Sequence, residues 1–217
     1  MIDDLSTDNS CEAFESTKSE LSISENIKLI KNVDKKYALK NIFDTLENIQ
    51  PADEDIIVIL DGDDWLAGPD VLKKINQIYN DTGCWMTYGS YMEYPAGTRG
   101  KFAKQIPEHI ILKNSYRDNK WMSSHLRTFK YKLWKKINKE DFIYSKTGEF
   151  FKAASDLAAM FPMLEMSGLK ARYVEDVLHI YNRQNPLNED KVDHSFQLSE
   201  ELEIRAKNKY NRLEELR

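Results

Sequence analysis

The sequence predicts an α/β protein built on a doubly wound sheet. Three observations carry this. Helical and extended patterns alternate through the first hundred residues or so. An apolar run, Ile56-Ile57-Val58-Ile59-Leu60, is stopped by Asp61, Asp63 and Asp64. It has no polar position to mark a wet face, which reads as a buried parallel strand. With 217 residues, 41% of them hydrophobic, the chain can enclose one substantial core.

The elements follow in order. Ser6-Thr7-Asp8 offers helix-capping chemistry, and a helix is expected from there to about Lys18. Ile27 to Ile30 is a short strand candidate. Tyr37 to Ile49 has an apolar stripe at Ala38, Leu39, Ile42, Phe43, Leu46 and Ile49, a helix that Pro51 ends. The Ile56 strand comes next. Pro69 then opens a helix with an apolar face of Val71, Leu72, Ile75, Ile78 and Tyr79. Trp85 to Tyr91 is an aromatic-rich strand, and Tyr94 to Pro107, with two prolines and two glycines between and at its ends, reads as a loop. Tyr131 to Ile137 is a short helix. Another runs from Ser155-Asp156 to Ser167, stopped by Gly168, with Pro162 expected in its first turns. Tyr173 to Tyr181 holds a strand or two, and His194 to Arg217 a polar, charge-laced helix.

Composition narrows the function. A net charge of −5 gives no bulk attraction for nucleic acid. No apolar run approaches a membrane span, and Ile2-Asp3-Asp4 after Met1 is not a secretory leader. Cys11 and Cys84 have no metal or redox spacing, so reduced thiols and a cytoplasmic setting are expected. A homo-oligomer is left open.

The acids after the apolar run carry the chemistry. They sit at the carboxyl end of a strand, where open α/β sheets bind ligands. Crowded carboxylates repel one another, and a hard divalent ion bridging to substrate phosphates relieves them. Asp63 and Asp64 are the preferred ligands, Asp61 the next, with Mn²⁺ or Mg²⁺ as the ion. The plain alternative is an acidic turn that caps a helix. In an extended run His125 and Arg127 share one face and suit phosphate or acceptor contacts, or pack structurally. Lys36, just before a helix, can reach a diphosphate or remain solvated. Trp65 adjoins the acids and is the aromatic expected near the site for acceptor contact, while His179 reads as structural or a distant metal-ligand candidate.

Several fragments, taken in order, resemble family 2 glycosyltransferases of the GT-A fold. Ile2-Asp3-Asp4-Leu5-Ser6-Thr7-Asp8 is similar to that family's Val-Asp-Asp-x-Ser-x-Asp segment, and Leu60-Asp61-Gly62-Asp63-Asp64 to its Asp-x-Asp motif. Ser155-Asp156 before a helix is similar to the site of its catalytic base. Ser124-His125-Leu126-Arg127-Thr128-Phe129, Met160-Phe161-Pro162-Met163 and Tyr181-Asn182-x-x-Asn185-Pro186-Leu187-Asn188 resemble a subset. The likeness extends to about Val192, so residues 1–193 are expected to form the GT-A-like domain and 194–217 a C-terminal helix. Such proteins usually open with a strand and a helix before the double Asp. Here the double Asp comes first, so an N-terminally truncated fold is expected, with unpaired backbone groups on the strands beside the gap.

The resemblance implies a GT-A (Rossmann-like) mixed, mainly parallel sheet flanked by helices. It implies inverting transfer of a sugar from a nucleotide donor, UDP-linked, to a glycan or other hydroxyl acceptor. Asp61 then turns to metal or to the donor's ribose. Asp3 or Asp4, with Asp4 favoured, accepts a hydrogen bond from the uracil or other base, or else caps a helix near Ser6. Asp156 becomes the general base, where the residues alone read as a helix cap ahead of Leu157. Two other classes stay in view: an inactive module used in assembly, and metal-dependent phosphoryl or nucleotidyl transfer. No Gly-x-x-x-x-Gly-Lys loop supports the last.

Overall fold

The structure, a computed structural model, describes residues 1–22, 27–185 and 194–216. Its first elements are β1 (Ile2–Asp3), α1 (Ser10–Glu20), β2 (Ile30–Lys31) and α2 (Tyr37–Ile49). β1 and β2 pair in parallel as a separate two-stranded sheet. Then come β3 (Ile56–Ile59), β4 (Trp65–Leu66), α3 (Val71–Thr82), β5 (Met86–Tyr94), β6 (Thr98–Arg99), α4 (Glu108–Leu112), β7 (Arg127–Lys130) and α5 (Tyr131–Trp134). A hairpin of β8 (Ile143–Tyr144) and β9 (Glu149–Phe150) leads to α6 (Ser155–Ser167), β10 (Ala171–Asn182) and α7 (His194–Ala206).

The main sheet runs β3-β7-β5-β10-β4, with β6 folded back on β5. It is mixed. β5 and β10 are parallel; β3–β7, β5–β7, β4–β10 and β5–β6 are antiparallel. The parallel share is therefore smaller than expected, and β3 departs from its expected parallel pairing because its described neighbour, β7, runs the other way. Its all-apolar composition has a different cause. Ile57 and Ile59 pack on the larger core, Ile56 and Val58 on a smaller one with Val71, Ile75, Tyr79 and Leu178. A strand between two apolar layers needs no polar face.

β3 ends the sheet, and its outer edge is open among the described residues. The N–H of Lys130 donates to the Trp85 carbonyl and that of Tyr131 to the Asp55 carbonyl. Antiparallel alternation then points the backbone groups of Ile57 and Ile59 at β7 and those of Ile56 and Val58 outward. All four side chains are half-buried despite their apolarity. Such an edge leaves strand donors and acceptors without ladder partners among the described residues.

Most helices fall where the periodicity puts them. α2 and α6 match at both ends, and α3 buries Val71, Ile75 and Tyr79 but leaves Leu72 exposed. Two details differ. Pro162 sits mid-helix in α6 rather than in its first turns; every residue from Leu157 to Ser167 is buried, so packing offsets the hydrogen bond that proline removes. α7 stops at Ala206, and residues 207–216 form a non-helical strap. There Leu216 joins the larger core and Leu213 N–H bonds the Met166 carbonyl. A buried ion pair ties the segment before β7 to α6 and α7: Arg117 Nε and Nη2 donate to Glu165 at 2.6 and 2.9 Å, and Arg117 Nη1 to the Ile204 carbonyl at 2.6 Å; the strap joins it through the Tyr210 N–H, which donates to Glu165 at 3.0 Å.

Candidate active site

The acids close a tight turn at the end of β3, where the Asp64 N–H donates to the Asp61 carbonyl at 3.2 Å. Each carboxylate then goes its own way. Asp64 is buried; its Oδ1 accepts from the Asn182 N–H at 2.8 Å, and its Oδ2 lies 2.7 Å from His179 Nε2. Asp63 accepts from Asn185 Nδ2 at 2.6 Å. Asp61 lies 3.4 Å from both His125 Nε2 and Arg127 Nη2.

β7 and β10 bring the partners. Side chains alternate along β7, so Phe129 joins the larger core and Thr128 bonds Tyr79 and Thr87 on the other side. Arg127, on the Phe129 side, reaches across to α6. Its Nη1 is 3.5 Å from Asp156 Oδ2, and its Nη2 is 2.6 Å from His125 Nε2. One guanidinium thus ties the strand-end acids to the carboxylate that opens α6. His125 stacks on His179 with ring centroids 4.5 Å apart, and Tyr91 meets its edge at 5.8 Å.

These contacts set the protonation states. Burial and the neighbouring Arg127 charge lower the His125 pKa to about 4, so the ring is neutral at ordinary pH. Burial opposes ionisation of Asp61, but the His125 hydrogen bond and Arg127 outweigh it and hold the carboxyl well below the usual range. Asp156 goes the other way. Burial raises its pKa against the opposing pull of Arg127 and the Leu157 N–H. A carboxylate raised toward the working pH is suited to proton abstraction.

Among the described residues, the His, Cys, Asp and Glu side chains whose ligand atoms converge are Asp64, His125 and His179, all within 4.8 Å of one another. The trio Asp61, Asp63 and Asp64 does not form such a group. The converging set fits a divalent ion: one carboxylate, one imidazole held neutral, and a second imidazole whose buried Nδ1 has no hydrogen-bond partner among the described residues. In the structure Arg127 Nη2 lies 2.6 Å from His125 Nε2, so an ion bound through that nitrogen would displace the guanidinium.

The other expected residues divide. Trp65 is exposed at the rim, edge-on to Tyr94 at 5.3 Å. Asp3 accepts from the Ser6 N–H at 3.3 Å. Asp4 accepts from Asn32, Lys36 N–H and Tyr37 N–H at 2.6, 2.9 and 2.8 Å, so it caps the start of α2. Lys36 pairs with Asp44 at 2.8 Å. Pro186-Leu187-Asn188 lies outside the described residues. Sequence reasoning underrated His179: its signal was an imidazole inside the apolar strand run Val177-Leu178-His179-Ile180, which needs a partner once buried.

Sheet, flanking helices and strand-end acids together define the GT-A-like, Rossmann-related class of α/β fold. Solved structures of the same architecture include S. aureus TarS. Its 1–349 form with UDP-GlcNAc superposes with a TM-score of 0.56 at 15% identity, over 85% of this chain and 49% of that one. The UDP complex gives 0.57 at 15%, over 94% and 54%. A third TarS structure gives 0.55 at 16%, over 83% and 30%. The chain thus spans about half or less of these proteins. No protein-family profile and no curated protein matches the sequence.

Proposed function

We propose that the protein is a glycosyltransferase that moves a sugar, with inversion, from a nucleotide-sugar donor, UDP-linked, to a hydroxyl of a glycan or other acceptor. The observation that carries this reading is the placement of Asp156 across Arg127 from the acids and imidazoles at the end of β3. Asp156 takes the proton from the acceptor hydroxyl while its oxygen attacks the anomeric carbon. The bond from that carbon to the diphosphate oxygen breaks, and the electron pair leaves with the diphosphate.

Asp64, His125 and His179 would hold the divalent ion, with Asp63 beside them and Asp61 turned to the ion or the ribose. A bound ion supplies charge to offset the departing diphosphate. Imidazole ligands favour Mn²⁺ over Mg²⁺. Arg127 contacts the phosphates, and Trp65 offers its exposed ring to the acceptor. Asp3 and Asp4 take the nucleobase side, Asp4 by shaping the start of α2. Lys36 belongs to the same end of the donor. The likeness to TarS bound to UDP-GlcNAc and UDP supports this choice of donor.

A second reading is an inactive module that assembles through the open β3 edge, and the half-buried Ile56–Ile59 run favours it. Calorimetry with UDP and Mn²⁺ separates the two. The transferase reading expects metal-dependent UDP binding and UDP release from UDP-GlcNAc, without phosphate release from phosphomonoesters. No nucleotide binding with or without metal leaves only the module.

A further inference from the structure

Asp156 sits at the start of α6, so its position depends on the turn that launches the helix. That turn has no cap of its own. The N-cap position is Ala154, held at φ 50°, whose side chain cannot cap the helix; within the first turn the Leu157 N–H donates to Asp156 Oδ1 at 2.9 Å. An alanine at positive φ is strained, and such a conformation persists only where its surroundings impose it.

The imposing group comes from a distant part of the chain. Glu200, on α7, is 1% exposed. Its Oε1 accepts from the Lys152 N–H at 3.2 Å and its Oε2 from the Ala153 N–H at 2.6 Å. One carboxylate therefore satisfies two consecutive backbone donors immediately before Ala154. Charge-assisted bonds to backbone N–H groups are the stronger kind, and a buried carboxylate is retained at a cost unless it is fully used. Its neighbours on α7 hold the hairpin before the turn. Ser199 bonds Tyr144 at 2.8 Å, and Glu203 accepts from Ser145 N–H and Oγ at 2.7 and 2.8 Å. Those contacts stabilise β8–β9; those of Glu200 act on the turn itself.

We propose that Glu200 is the positioning residue for Asp156: its carboxylate fixes the Lys152–Ala153 backbone and so sets where the base stands relative to Arg127. The inference rests on the transferase reading for its consequence and on geometry alone for its cause. Glu200 touches no reacting atom in this account. A displacement of about an ångström at the base is enough to cost a large factor in rate without loss of donor binding.

The test compares E200Q with E203Q in the full chain. Gln at 200 keeps the shape but turns one acceptor into a donor facing an N–H. E200Q is expected to lower the rate of UDP release from UDP-GlcNAc by about 10- to 100-fold, with UDP affinity within about twofold of wild type. Amide exchange at Lys152 and Ala153 should rise at least about tenfold. E203Q, which loosens the same helix one turn on, should leave both readouts near wild type. Unchanged exchange and rate in E200Q overturn the proposal. So does a rate that falls only in step with UDP affinity, or equally in E203Q. If the wild type releases no UDP at all, the transferase reading fails, while exchange at the two amides and the carbon NMR shift of the Asp156 carboxyl in E200Q still decide whether Glu200 positions the base.

Discussion

Replacing Arg127 by Met removes the cation that stands 3.4 Å from Asp61 and 3.5 Å from Asp156. At that separation, and at an effective dielectric of about 20, Coulomb's law allows roughly 5 kcal/mol as an upper limit, or about 3.5 pKa units. Solvent reaches the Asp156 carboxyl, 27% exposed, and lowers the expected shift to about 1–2 units. The sign is fixed. Burial already raises Asp156 and Arg127 pulls against it, so R127M raises it further. A base must be unprotonated to act, so the acid limb of the pH–rate profile for UDP release should move up by the same amount. R127K keeps the charge and should hold the limb within about half a unit. His125 also loses a neighbour that lowers its pKa, so carbon NMR of the aspartate carboxyls is needed to assign the shift. A limb that stays put or moves down in R127M, with the Asp156 carboxyl unmoved, refutes the reasoning.

Other consequences are more local. His125 titrates near 4 in the folded chain against an ordinary 6.5, so the unfolded chain takes up its proton first as pH falls; stability should drop by up to ~3 kcal/mol between about pH 6.5 and 4, and H125F should flatten that part of the urea-midpoint profile. R117M strands the fully buried Glu165 and should cost about 3–5 kcal/mol in urea unfolding, while R117M/E165M recovers much of it. G100A would place a methyl 1.9 Å from the Tyr91 ring that meets His125 edge-on; it should destabilise the protein by about 1–3 kcal/mol and weaken Mn²⁺ binding by calorimetry.

Much of the fold was legible because local rules and packing agreed. The α2 stripe, the Pro51 stop, and the Ser155 start and Gly168 stop of α6 are each short-range signals, and each holds. Strand direction is not such a signal. Apolarity on both faces of β3 reports two covering layers, and it does so whether the neighbour runs parallel or antiparallel. The C-terminal strap was illegible for a similar reason: its charged residues resemble a solvated helix, yet Arg212, Leu213 and Leu216 are fixed by contacts with Ile111, Met166 and the core.

The site divides along the same line. Asp61, Asp64, Arg127, His125 and Asp156 were visible as residue types at the ends of elements, and the fold brings them together. Which atoms converge was not visible. The turn at Asp61–Asp64 sends neighbouring carboxylates in different directions, and β10 supplies His179 from more than a hundred residues away. Glu200 was hidden for the same reason, as its partners are backbone groups of a turn far off in sequence.

The central claim is that donor diphosphate and divalent ion meet at Asp64, His125 and His179, with Asp156 facing the sugar from the other side. A crystal structure of the chain with UDP-GlcNAc and Mn²⁺ tests it most directly. The account predicts Mn²⁺ on those three side chains, diphosphate against it and Arg127, and the Asp156 carboxylate on the face of the anomeric carbon opposite the leaving oxygen. Nucleotide seated elsewhere, or Asp156 on the same side as the diphosphate, would contradict it.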